Sequence, residues 1–216
     1  MNQFNVFLNE DLQRIQRTFH DCEALRQCTF ELDNGQVPQT GHGKNYVRQW
    51  SGMQERGLGL LLWGPPGTGK TFTAACIANG FLESGDPFAP SVIMTSFGTI
   101  LRHTLACTPQ QREDYHAMLT NCGLLILDDF GMERQSDFAR EQVYNLVNGR
   151  YLTMGPMVIT TNLTLQQMKE PRTMDEQRIY DRVLERCIPI CFEGASLRRN
   201  KAAENLRFYR SLMPQP

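Results

Sequence analysis

What this 216-residue sequence lacks narrows the field first. It has no run of the ~18–20 apolar residues that a membrane-spanning helix needs. Its start, Met1-Asn2-Gln3-Phe4-Asn5-Val6, has neither the basic residues nor the apolar stretch of a secretory signal. An excess of one charge is missing too, with 22 Lys and Arg against 23 Asp and Glu. The net charge of −1 excludes a chain that is basic throughout and leaves room only for a local basic face. There is no internal repeat and no low-complexity tract. The seven cysteines are odd in number, and Cys76, Cys122 and Cys191 lie inside apolar runs. Without a secretory signal they read as reduced thiols of a cytoplasmic protein, with no membrane involvement.

What is present points to a folded domain. Hydrophobic residues make up 41% of the chain, too many for a disordered one. The length fits one domain with a short appendage, divided as an N-terminal helical segment (1–27), a linker with a leading helix (28–56) and a core (57–213). Between Asn9 and Leu25, apolar residues recur at Leu12, Ile15, Phe19 and Cys22, a helical stripe. Such a helix either docks on its own domain or is offered to a partner protein. Asp33-Asn34-Gly35 and Val37-Pro38 to Gly43 read as a turn-rich linker.

From Gly57 onward, short apolar runs alternate with helical stretches. Leu58–Trp63, Val92–Met94, Leu124–Leu127, Met157–Thr160 and the weaker Ile188–Phe192 read as strands. Helices are expected over 70–83, 97–106, 110–121, 136–152 and 174–187. Pro189 cannot donate to a ladder, so the last strand belongs at an edge or a bulge. Continuous apolar strands separated by helices predict an α/β fold of three layers around a mostly parallel, five-stranded sheet.

Gly64-Pro65-Pro66-Gly67-Thr68-Gly69-Lys70-Thr71 fits the pattern G-x-x-x-x-G-K-[ST]. That pattern arises by chance in roughly 1% of chains this long, and here it also follows a strand and opens a helix. The glycines let backbone N–H groups turn toward a β-phosphate at the positive end of that helix. Lys70 bridges the β- and γ-phosphates in this reading, and the Thr71 hydroxyl binds Mg²⁺. The nucleotide site runs from Gly64 to Phe72.

Leu124–Leu127 lead into Asp128-Asp129, and in an open parallel sheet ligands bind at the carboxyl ends of the strands. Asp128 is the candidate for holding Mg²⁺ through water, and Asp129 for polarising the water that attacks the γ-phosphate. Such enzymes usually carry Glu at the second position. Asp is one methylene shorter, which predicts slow, conditional hydrolysis. The fourth strand ends in Thr160-Thr161-Asn162. Asn162 is either a nucleotide sensor or merely a helix N-cap or Asx turn before 163–169.

Arg178, Arg182 and Arg186 recur every fourth residue and share a helix face, with Ile179 and Val183 facing the core. They form either a solvated charge stripe or a guanidinium offered to the γ-phosphate of a neighbouring subunit. Ser196-Leu197-Arg198-Arg199-Asn200-Lys201 opens the last helix, where Arg198 would reach the nucleotide in cis or the cluster would meet nucleic-acid phosphate.

In this order the motifs resemble those of AAA+ ATPases, and more closely the DnaC/DnaI/IstB group, especially its bacterial and phage helicase loaders. Phe30 to Tyr46, Gly59-Leu60-Leu61-Leu62-Trp63-Gly64 and Cys187 to Arg198 carry the resemblance over residues 28–200, together with Asp129-Phe130-Gly131-Met132-Glu133-Arg134. The resemblance implies an ATPase using Mg²⁺, a chain without a full helical lid, and self-association through the ATP site. It implies a DnaB-type replicative helicase as partner, delivered onto single-stranded DNA. By the same resemblance, Arg182 matches the arginine finger, Arg178 a supporting arginine and Arg198 the sensor-2 arginine. Ser136 and Phe138 stand where loaders contact DNA, although Phe138 fits core packing equally well. Two other readings stay open: a transposition helper ATPase acting with a transposase on duplex DNA, and an ATP-gated binding protein with negligible turnover.

Overall fold

The computed structural model describes residues 18–213, apart from 20–22, 34, 36, 87 and 132–135. All five expected strands form: β1 (Gly59–Trp63), β2 (Val92–Ser96), β3 (Leu124–Phe130), β4 (Met157–Thr161) and β5 (Cys187–Cys191). They make one sheet in the order β2-β3-β4-β1-β5, and every pairing is parallel. Parallel neighbours need long crossovers, which helices supply. These are α3 (Lys70–Glu83), α4 (Phe97–Ala106), α5 (Pro109–Asn121), α6 (Asp137–Leu152), α7 (Leu165–Lys169) and α8 (Met174–Arg186). Helices α1 (Thr40–Arg48) and α2 (Trp50–Glu55) precede β1, and α9 (Leu197–Ser211) follows β5.

β1 to β4 bury both faces, whereas the edge strand β5 is only partly buried. Leu60, Leu62, Ile126 and Val158 pack with Tyr46, Trp50, Ala74, Ile77 and Phe81 of α1, α2 and α3. The intervening Leu61, Leu125, Leu127 and Ile159 pack with Ile100, Leu119, Val143, Leu146 and Val183 on the other side. A two-residue alternation between two apolar cores is why the strands read as continuous apolar runs. β5 pairs only with β1, Pro189 standing opposite Leu61, so the proline sits on the edge strand its missing N–H required. No helix among the described residues is long and apolar enough to cross a membrane. The six cysteines among them are free, and burial pushes the Cys76 and Cys187 thiols up to about 12, so both stay protonated at neutral pH.

Two expectations are corrected or only partly met. The linker read from Val37 to Gly43 stops early, because α1 begins at Thr40. Its glycines argued for a turn, yet Gly43 is where α1 lies against α3. A Cβ there would stand 3.0 Å from Thr73 Cγ2 and 3.1 Å from Ile77 Cγ1, so close packing outweighs low helix propensity. The stripe expected between Asn9 and Leu25 falls mostly outside the described residues, Leu12, Ile15 and Cys22 included. Phe19 is described, and it is buried in a parallel bridge with Met94 at the β2 edge. Glu23–Gln27 is a 3₁₀ turn rather than a continuing helix. Asn79 Nδ2 ties that segment to α3 by donating to the carbonyls of Leu25 (3.0 Å) and Cys28 (2.7 Å).

At the opposite end of the sheet from the strand carboxyl ends, Arg150 is 1% exposed. Its guanidinium donates to the carbonyls of Thr120 (2.9 Å), Cys122 (2.5 Å) and Pro156 (2.6 Å), joining the segments that enter β3 and β4. Arg150→Met leaves these buried acceptors unpaired at ~1–3 kcal/mol each, for an expected loss of about 4 kcal/mol. Urea unfolding of the variant reads this loss directly, and a change below about 1 kcal/mol would contradict the clasp.

Candidate nucleotide site

The strand order β3-β4-β1 sets three carboxyl ends side by side. Phe130, Thr161 and Trp63 lie in one row across the sheet, so the chain leaves each strand at the same edge. The phosphate loop follows β1, Asn162 follows β4, and the acidic pair ends β3. The loop turns through Gly67 (φ 82°) and Gly69 (φ 101°), a left-handed backbone that L side chains rarely adopt. Thr68 Oγ1 braces the turn by donating to the Pro65 carbonyl at 2.9 Å. Gly69 then caps α3, whose 14 residues aim their positive end at the loop. Phe72 lies half-buried in the first turn of α3.

Lys70 is 5% exposed, and its ammonium donates to the carbonyls of Gly64 and Pro65 (2.7 Å each) and to Asn162 Oδ1 (2.9 Å). Burial lowers its pKa, opposed by Asp129 and Asp128 and assisted by the charge of Arg198. Asn162 therefore faces the lysine. The N-cap of α7 is Thr164, which accepts from Gln167 N, so the capping alternative for Asn162 is set aside.

Asp128 Oδ1 accepts from Thr71 Oγ1 (2.9 Å) and Thr160 Oγ1 (2.6 Å). Burial pushes its pKa up, while the two hydroxyl bonds pull it down. A carboxylate and a hydroxyl oxygen this close form a hard-donor pair of the kind Mg²⁺ takes together with phosphate oxygens and water. At Asp129 the ladder slips. The register between β3 and β4 shifts between Leu127 and Phe130, Asp129 has φ 55°, and its N–H donates to Thr160 Oγ1 at 3.0 Å. Bulges of this sort re-aim a side chain. Here the carboxylate is exposed in a cleft of about 620 Å³ shared with Ser136, Phe138, Leu101 and Arg102.

The sequence reading gave no role to three contributors. Thr160, part of the polar β4 end, bonds both members of the acidic pair. Val37 covers the loop from above, its side chain 2.8 Å from where a Cβ on Gly69 would lie. Leu197 N donates to Gly67 O (2.9 Å), which docks the first turn of α9, and with it Arg198, on the phosphate loop.

Not all candidates converge. Arg178 and Arg182 lie on α8 and join no hydrogen bond to the loop. Arg178 is exposed, with its Nη1 4.0 Å from Asp175. The Arg182 guanidinium lies over the rings of Tyr144 (5.2 Å) and Tyr151 (5.6 Å) on α6.

A wholly parallel sheet with a phosphate loop after β1, an acidic pair at the adjacent β3 and a polar β4 end define a P-loop NTPase of the AAA+ class. Residues 39–205 match the family described as IstB-like ATP binding protein, and the chain belongs to that family. It is 27% identical over 179 residues to the replicative helicase loader DnaC of Escherichia coli strain K12, covering 77% of this chain and 70% of that protein. With the replicative helicase loader DnaI of Bacillus subtilis strain 168 it shares 28% identity over 200 residues, 86% of this chain and 63% of that one. Among solved structures, the crystal structure of DnaI matches with a TM-score of 0.64 at 20% identity, covering 82% of this chain and 96% of that one. The chain is thus an ATP-binding protein of the AAA+ P-loop class, homologous to the DnaC/DnaI loaders.

Proposed function

We propose that this protein is an ATP-hydrolysing helicase loader that assists delivery of a DnaB-type replicative helicase onto single-stranded DNA. The observation that carries the reading is the pairing of Lys70 with Asn162 and of Thr71 with Asp128, each by a hydrogen bond of 2.9 Å, in a chain homologous to two helicase loaders. Residues 57–213 are the ATPase core, 28–56 its leading linker and helices, and 1–27 the candidate partner-binding segment.

The loop residues Gly64–Phe72 bind the phosphates, with Lys70 exchanging carbonyl acceptors for phosphate oxygens of higher negative charge. Thr71 and Asp128 would hold Mg²⁺, which would supply neutralisation of phosphate charge. Asp129 accepts the proton of the attacking water. Asn162 senses the γ-phosphate through the bond it already makes to Lys70, and Arg198 adds a positive charge in cis. Arg182, supported by Arg178, completes the site of a neighbouring subunit. Ser136 and Phe138 line the Asp129 cleft, where an aromatic face stacks on a base for ~1–3 kcal/mol.

The family description itself favours one second reading, an IstB-like transposition helper acting on duplex DNA. The short Asp129 side chain favours an ATP-gated binding protein with little turnover. One experiment separates them. Asp129→Asn keeps ATP affinity within about 3-fold and loses turnover by roughly 100-fold or more. With ATP present, that variant co-elutes with a hexameric DnaB-type helicase and does not release it when single-stranded DNA is added. No complex with the helicase would overturn the loader assignment, and a variant as fast as wild type would remove the role of Asp129.

A further inference from the structure

α6 joins two things that are far apart in the chain. Its N-cap, Ser136, and its first turn, with Phe138, line the cleft that holds Asp129. Its middle carries Tyr144 and its last turn Tyr151, the rings beneath the Arg182 guanidinium. Tyr151 is itself fixed: its hydroxyl donates to both Glu185 carboxylate oxygens (3.1 and 3.0 Å), and Arg186 covers its ring at 4.8 Å. Arg182 Nη1 donates to the Arg178 carbonyl at 2.6 Å, while its buried Nε makes no hydrogen bond. Stacking uses the face of a guanidinium and leaves its edge N–H groups for hydrogen bonds. A cation standing over two rings on one helix takes its direction from that helix.

We propose that Tyr144 and Tyr151 are positioning residues for Arg182, and that α6 makes the presentation of this arginine to a neighbouring subunit depend on what occupies the Asp129–Phe138 cleft. The inference rests on the reading of Arg182 as an arginine finger acting in trans. Occupancy of the cleft by single-stranded DNA bears on the first turn of α6. α6 carries both the wall of the cleft and the tyrosines, so a shift of the helix imposed by that occupant would be passed to the guanidinium.

The test uses full-length protein, ATP and a deoxythymidine oligonucleotide. Tyr144→Leu removes the ring, and Tyr144→Phe keeps it and acts as the folding control. An arginine finger is worth ~10³–10⁵ in rate, so its misdirection by Tyr144→Leu is expected to lower DNA-stimulated kcat roughly 10-fold or more, with KM for ATP within about 2-fold of wild type. Tyr144→Phe should match wild type. Mixing Tyr144→Leu, whose own site is intact, with Asp129→Asn, whose Arg182 is intact, should restore turnover that neither has alone. Equal loss in the Phe and Leu variants, no restoration on mixing, or full stimulation of Tyr144→Leu would each overturn the positioning role while leaving the finger standing. An Arg182→Ala variant as active as wild type would instead remove the finger, and this inference with it.

Discussion

Lys70→Ala is expected to weaken ATP binding at least ~100-fold, since each hydrogen bond from a charged donor is worth ~1.5–3 kcal/mol and the lysine offers more than one to the phosphates. The structure gives the reason for so large an effect. The ammonium is buried and already satisfied by two loop carbonyls and Asn162, so it is held where it must act and loses no freedom on binding. Burial lowers its pKa, and Asp129 and Asp128 offset part of that effect. A cation kept charged in a poorly solvated place gains more from phosphate than one in water does. Calorimetric titration with ATP reads the loss, and an unchanged dissociation constant would refute the phosphate-loop assignment.

Arg182→Ala is the second large effect. ATP affinity should stay within about 3-fold, because no hydrogen bond links this arginine to the phosphate loop of its own chain, while turnover of the assembled protein falls by ~10³ or more. The expected signature is trans complementation. Arg182→Ala mixed with Asp129→Asn regains activity, since one supplies the intact site and the other the intact arginine. Steady-state turnover of the two variants, singly and mixed, decides it. A loss of ATP binding in Arg182→Ala would place the residue in its own nucleotide site and contradict the trans role.

Much of this was legible in the residues, for physical reasons that can be named. Strands buried on two faces are apolar at every position, so β1 to β4 stood out, and Pro189 marked β5 as an edge. The phosphate loop was legible because its backbone needs glycine at φ values such as 82° and 101°, which few other sequences supply. The bulge at Asp129 was not, since an Asp at φ 55° follows from the β3–β4 register and leaves no mark on composition. Val37 over Gly69, Leu197 on Gly67 and the tyrosines beneath Arg182 are contacts between residues 32, 130 and more than 30 positions apart, to which no periodicity points. α1 was hidden by Gly41 and Gly43, and the value of Gly43 lies in packing against a helix that only the fold brings near. Asn162 was ambiguous among cap, Asx turn and sensor, and the cap alone is removed by Thr164, while Lys70 meets the amide oxygen.

The proposed loader activity predicts which nucleic acid the site answers to. The most direct measurement is steady-state ATP turnover of the full chain alone, with a single-stranded oligonucleotide, and with the same sequence as duplex. Slow turnover that single strands raise by roughly 10-fold or more, and duplex does not, is the predicted result, since stacking on Phe138 needs an unpaired base. Stimulation by duplex equal to or greater than that by single strands would contradict the loader account and turn the assignment toward the transposition helper.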